Sequence, residues 1–246
     1  MFVVERFAFP KLSEPSRDVP VPEGLLVAWP DREVTETVSA CAAAAQRILH
    51  QSSLARLRVV LFTSPDDGDG KTGVVIALAP ELAQRSTGNV LVVDANFRKP
   101  DLTARLNVPA DNTISQPALI YPTNLLRLSV LPVPAVQRAR WDGSCTASTC
   151  WNGSCTATPG ATVQRAPLPT TPRFPCLNSE ELREGWSLVL VDAASLVHPE
   201  VAPMISDCDG VYLVVRLGHT ARRAVADAAR AIQAAGGRLL GSVVVG

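Results

Sequence analysis

RVVLFTSPDDGDGKT, running from Arg58 to Thr72, is the stretch that decides the fold. Val59 to Phe62 and then Thr63 form a short run of β-branched and bulky apolar residues, the pattern of a strand buried on both faces. The run leads into small and acidic residues. Gly68, Gly70, Lys71 and Thr72 then open a helix, GVVIALAPELAQ. A strand, a glycine loop and a helix N-terminus in that order build a phosphate cradle. The glycines let backbone N–H groups approach an anion, and the helix dipole favours negative charge there. The Lys71 ammonium can reach β and γ phosphates, and the Thr72 hydroxyl can sit on Mg²⁺. One position departs from the G-x-x-x-x-G-K-[ST] spacing: Pro65 stands where the first glycine belongs.

Outward from this loop, strands and helices alternate. A helix over about Asp31 to Gln51 begins with an Asp and early glutamates and precedes the first strand. Beyond the loop helix, with Gly88 as its C-cap, NVLVVDAN is a second strand ending in Asp94, and FRKPDLTARLNV holds a loop and a short helix. Leu125 to Leu131 is a third strand. After a short helix near Ser179 to Glu184, Ser187 to Ala194 is a fourth strand carrying Asp192 at its end. Gly210 to Gly218 is a fifth, an amphipathic helix follows, and RLLGSVVVG is a sixth. Valine- and leucine-rich strands alternating with helices predict an α/β fold, a three-layer doubly wound and mainly parallel β-sheet with helices on both faces. Ligands bind at the carboxyl ends of such strands, and the glycine loop, Asp94 and Asp192 all fall there.

Residues 1–30, with prolines and no sustained period, form an extended N-terminal arm, leaving 31–246 as one nucleotide-binding domain. Within it, WDGSCTASTC and WNGSCTATPG are consecutive near repeats flanked by two copies of VQRA, at Val136 to Ala139 and Val163 to Ala166. They mark a low-complexity loop insert over about 135–174, whose removal should leave the fold intact.

Charge narrows the partners. With 23 basic and 23 acidic residues, nothing draws the chain broadly to nucleic acid or an anionic membrane. No apolar run approaches the roughly 20 residues of a membrane helix, and MFVVERFAFPKL lacks the core of a secretory signal. A cytoplasmic protein with reduced cysteines is expected. Cys145, Cys150 and Cys155 recur every five residues, unlike the close pairs of zinc sites. His198 and His219, near strand ends, are assigned to solvated loops, with the nucleotide pocket as the alternative for either; Arg222 and Arg223 begin the last helix and are assigned to a solvated face, with a partner or phosphate contact as the alternative.

TSPDDGDGKT, VLVVDANFRKPDLTARLNV, LSVLPV, WSLVLVDAA and the segment from Asp207 to Gly246, taken in order, resemble the bacterial tyrosine kinase family, P-loop proteins of polysaccharide chain-length and export systems. The wider group includes the MinD and ParA ATPases. The likeness spans about Leu54 to Gly246 apart from the insert. Asp66 stands where MinD and ParA carry a signature lysine, which favours the kinase branch. The resemblance implies ATP and Mg²⁺ as cofactors. Lys71, Asp94 and Asp192 would be catalytic. Asp67, Gly68, Asp69, Gly70, Lys71, Thr72, Gly73 and Arg98 would hold the nucleotide. Thr72, Asp94 and Asp192, the last as Walker B acid, would hold Mg²⁺. A membrane adaptor of the export system is the implied partner, placing the protein peripherally at the inner membrane.

Three departures from the family pattern stand out. Asn96 replaces the second acid of D-x-D-x-R, and an amide can neither take a proton nor neutralise Mg²⁺. The E-x-x-R-x-x-R oligomerisation motif is missing from the first helix, where Ala42 to Ala45 and Gln46 stand. A tyrosine-rich tail is not present, the tyrosines being Tyr121 and Tyr212, so self-phosphorylation on a tail is not expected. The alternatives to an active kinase are therefore a catalytically weak regulatory or scaffold subunit, or a MinD/ParA-like positioning ATPase.

Overall fold

The computed structural model describes residues 26–30, 35–108, 120–132 and 180–246. The predicted insert and most of the predicted N-terminal arm lie outside these residues. The elements run α1 (Thr35–Ala55), β1 (Val59–Thr63), α2 (Lys71–Arg85), β2 (Val90–Ala95), α3 (Asp101–Arg105), β3 (Tyr121–Pro122) and β4 (Leu128–Leu131). They continue through α4 (Glu180–Gly185), β5 (Leu188–Ala193), α5 (Val201–Asp207), β6 (Gly210–Arg216), α6 (Arg222–Ala234) and β7 (Leu239–Val245).

Among the described residues one sheet of seven strands forms, in the order β3-β4-β2-β5-β1-β6-β7. All neighbours are parallel except β3 against β4. Because side chains alternate across a strand, β1 divides its apolar residues between two cores. Val60 and Phe62 face the layer of α1 and α2, against Ile48, Val75, Leu78 and Leu82. Val59 and Leu61 face the layer of α5 and α6, against Met204, Ile205 and Ile232. Strands buried on both faces need apolar residues at every position, which is why they read as unbroken runs rather than alternating ones.

Several boundaries differ from the sequence expectation. The two-residue β3 and helix α5 were not anticipated, being too short to show a period. The strand expected from Leu125 begins at Leu128, because a turn precedes it: Arg127 has φ 65° and the Leu128 N–H donates to the Leu125 carbonyl at 3.3 Å. The C-cap of α2 is Ser86, not Gly88; the Ser86 N–H closes the last turn on the Leu82 carbonyl. Leu26–Pro30, at the end of the expected arm, packs on the sheet. Val27 and Trp29 are buried, the Val27 N–H donates to the Pro122 carbonyl at 2.9 Å, and the Trp29 indole donates to the Ile76 carbonyl at 3.2 Å.

Placing β5 between β1 and β2 is what positions the site. Asp192 of β5 pairs in register with Asp94 of β2 on one side and Phe62 of β1 on the other. The two predicted acids thereby become neighbours, Asp192 on the strand beside β1 and its glycine loop, Asp94 one strand further.

Candidate nucleotide site at the strand ends

The loop from Ser64 to Gly70 carries its unusual backbone at two points, Gly68 with φ 85° and Gly70 with φ 88°. Only glycine adopts such angles without strain. At Pro65, where the motif's first glycine belongs, the ring fixes φ in the ordinary negative range, so the left-handed backbone of this loop is confined to Gly68 and Gly70. Gly70 is the N-cap of α2 and no side chain caps that helix, so its first-turn N–H groups are left to face an anion. Lys71 is buried and donates from Nζ to Ser64 Oγ at 3.0 Å. Burial pushes its ammonium below the ordinary lysine range, against the pull of Asp192, Asp67 and Asp69.

Asp192 is the most telling residue. It is fully buried, and neither carboxylate oxygen has a hydrogen-bond partner of normal geometry. Desolvation pushes its pKa up to about 7; the Thr72 hydroxyl and Lys71 pull it down, while Asp94 pushes it further up. The Thr72 hydroxyl thus lies beside the carboxylate without making a good hydrogen bond to it. A buried carboxylate with unspent oxygens normally neutralises or finds a cation. An oxygen-ligated divalent cation fits this donor set of one carboxylate and one hydroxyl, provided phosphate oxygens and water complete its shell. Among the described residues no group of three or more His, Cys, Asp and Glu could hold a metal unaided.

Asp94 is differently engaged. Its Oδ2 accepts from the Thr103 N–H at 2.9 Å and the Thr103 hydroxyl at 2.6 Å, and Oδ1 accepts from the Asn96 N–H at 3.2 Å. It anchors α3 to the end of β2. Asn96 accepts from the Lys99 N–H at 3.2 Å, shaping the same turn. The Arg98 guanidinium pairs with the nearly buried Glu200 carboxylate at the start of α5.

The acids of the glycine loop also turn to other loops. Asp67 accepts from the Ser195 hydroxyl at 2.5 Å and from His198 Nε2 at 2.9 Å, both on the loop after β5. These bonds, Ser195 first, hold its carboxyl below the usual range despite opposing desolvation. Asp69 has no exposed surface; its Oδ1 accepts from His219 Nδ1 at 3.0 Å and the Thr220 hydroxyl at 2.8 Å, after β6. Its Oδ2 accepts from the Asp66 N–H at 3.3 Å. His198 and His219, assigned to solvated loops with the nucleotide pocket as the alternative, therefore grip the glycine loop from two sides. Ser195, Glu200 and Thr220 carried no motif; the only sequence signal was their place just beyond strands that end at the site. Gly73 lies in the first turn of α2.

No protein-family model matches the sequence, and a search of curated proteins finds no match. Solved structures do match. The VpsO kinase domain is 20% identical with a TM-score of 0.58, over 85% of this chain and 95% of that one. The kinase domain of the Escherichia coli tyrosine kinase ETK is 17% identical with a TM-score of 0.59, over 93% and 94%. The septum site-determining protein MinD from Pyrococcus horikoshii, solved with Mg-ADP, is 16% identical with a TM-score of 0.52, over 76% and 69%. The structural neighbours are thus bacterial tyrosine kinase domains together with MinD-like relatives, and the fold is the P-loop fold they share.

Proposed function

We propose that the chain binds Mg-ATP at the carboxyl ends of β1, β2 and β5, and supports phosphoryl transfer or hydrolysis in a polysaccharide synthesis or export system. The observation that carries this is the buried Asp192 carboxylate, unpartnered beside Thr72 and Lys71 at the mouth of a glycine loop. The likeness to kinase domains and to a MinD solved with Mg-ADP supports it. Mg²⁺, held by Thr72 and Asp192, would supply Lewis-acid stabilisation of charge on the phosphoryl group. The chain's own part is positional. Gly68 and Gly70 open the backbone, the first turn of α2 presents N–H donors, and Lys71 turns from Ser64 to the phosphates. Thr72 and Asp192 would hold the ion, Asp94 would keep α3 in place beside it, and Arg98 would reach the nucleotide after release from Glu200. Among the described residues no helix is long and apolar enough to cross a membrane. A cytoplasmic location, with the inner membrane reached through an adaptor, is part of this proposal.

A second reading, a regulatory or scaffold subunit with little turnover, is favoured by Asp94. Its oxygens are engaged by Thr103 and Asn96, and Asn96 supplies no second acid. Titration with a fluorescent ATP analogue, with and without Mg²⁺, tests the shared premise: absence of binding at millimolar nucleotide discards both readings. Phosphate release separates them, since Lys71→Ala abolishes turnover in an enzyme and changes nothing in a scaffold.

A further inference from the structure

The glycine loop is acidic where it should attract polyphosphate. Asp66, Asp67 and Asp69 stand against Lys71 alone, so residues 64–72 carry a formal charge of −2 at the mouth of an anion site. Unit charges a few ångströms apart repel noticeably even near solvent, and a triphosphate would meet this repulsion on entry. Two imidazoles stand against these acids, His198 Nε2 at 2.9 Å from Asp67 and His219 Nδ1 at 3.0 Å from Asp69.

We propose that His198 and His219 are positioning residues of the nucleotide site, bracing the loop from the ends of β5 and β6 and meeting the carboxylates of Asp67 and Asp69 with ring N–H donors so that a nucleoside triphosphate can bind. This rests on the nucleotide site proposed above.

The geometry serves both tasks. A ring nitrogen beside a carboxylate must donate, and each ring contacts an acid already bonded by a hydroxyl, Ser195 for Asp67 and Thr220 for Asp69. The Thr220 hydroxyl also accepts from the Arg216 N–H at 3.0 Å, and Arg216 Nη1 donates to the Gly68 carbonyl at 3.3 Å. The loop after β6 is thereby fastened to the glycine loop at Gly68 and Asp69. The sequence separations are long: 131 residues between Asp67 and His198, 150 between Asp69 and His219. Among the described residues, Glu200, paired with Arg98, lies within electrostatic reach of His198, Arg98 within reach of Asp67, and Lys71 within reach of both Asp67 and Asp69. Arg216, the last residue of β6, accepts at its carbonyl from the His219 N–H at 3.2 Å. Both imidazoles retain exposure, 21% for the His198 side chain and 52% for that of His219, so ligand can reach them.

The test is a double-mutant cycle read by binding of a fluorescent ATP analogue to the full chain in Mg²⁺. His198→Ala and His219→Ala should each weaken binding about three- to tenfold, the scale of one hydrogen bond. Asp67→Asn, at a side chain 64% exposed, removes the carboxylate that His198 holds, so the double variant H198A/D67N should bind within about twofold of D67N. His198→Gln, which keeps an N–H donor, should bind more tightly than H198A. Alanine variants that bind like wild type, or a D67N change that leaves the effect of H198A undiminished, would overturn the inference and leave the nucleotide site standing. A wild-type protein that binds no nucleotide would overturn both. Urea melts of each variant distinguish lost folding from lost binding. If H198A unfolds, H198Q decides: binding within about twofold of wild type agrees with bracing by an N–H donor, and binding weakened about three- to tenfold refutes it.

Discussion

Replacing Asp192 with asparagine should stabilise the ligand-free protein above neutral pH while destroying its magnesium site. The carboxylate has no exposed surface and no well-formed hydrogen bond, and its pKa rises from 3.8 to about 7 on folding. Below the lower value the group is protonated in both states and contributes nothing to the pH dependence. Between the two values the unfolded chain releases its proton and the folded chain retains it, so stability falls as pH rises. Above about 7 the full penalty is in place. A shift of about three units at 1.36 kcal/mol each corresponds to about 4 kcal/mol. A buried amide in the same spot keeps a desolvation cost of about 1–3 kcal/mol. The net gain for Asp192→Asn at pH 8 is therefore about 2 kcal/mol, a rise in melting temperature of about 5 °C for a chain of this size. Urea melts at about pH 5 and about pH 8 should show the variant's advantage only at the higher pH, and nucleotide binding by the variant should lose its dependence on Mg²⁺. An Asp192→Asn protein less stable than wild type at pH 8, or one whose advantage is the same at both pH values, would refute the reasoning.

Three further outcomes are expected. Trp29→Ala should cost about 3–4 kcal/mol in a urea melt, because a buried indole and its bond to Ile76 are lost; a change under about 0.5 kcal/mol would return Leu26–Pro30 to a loose arm. Arg98→Ala should strip Glu200 of the guanidinium that holds its carboxyl below the ordinary range against desolvation. A lowered folded-state pKa adds stability above the unfolded value and loses it in acid, so the variant should be weaker than wild type at about pH 7 and equal to it at about pH 3. Gly237→Ala would set a methyl group 2.2 Å from the buried Ile205 Cγ2 and should destabilise by about 1–3 kcal/mol, measured as a lower urea midpoint.

Sequence alone determined most of the elements, though not β3 or α5, and the order of strand, glycine loop and helix. Buried parallel strands must be apolar throughout, so β1, β2, β5 and β6 announce themselves as runs. The glycine loop spans only the residues between one strand and the next helix, so its chemistry is written contiguously from Ser64 to Thr72. The likeness to kinase domains followed from the order of these pieces. Tertiary structure decided how the residues are used. Setting β5 between β1 and β2 brings Asp192 beside Asp94 across the ladder. The packed chain then gives the two acids opposite fates: Thr103 and Asn96 engage Asp94, and Asp192 is left unpartnered. It also takes His198, His219 and Glu200 out of unremarkable loops and sets them against Asp67, Asp69 and Arg98. Local patterning reports which face of an element is buried. It carries no record of which distant loop a polar side chain will meet, because that is settled by strand order and register across more than a hundred residues.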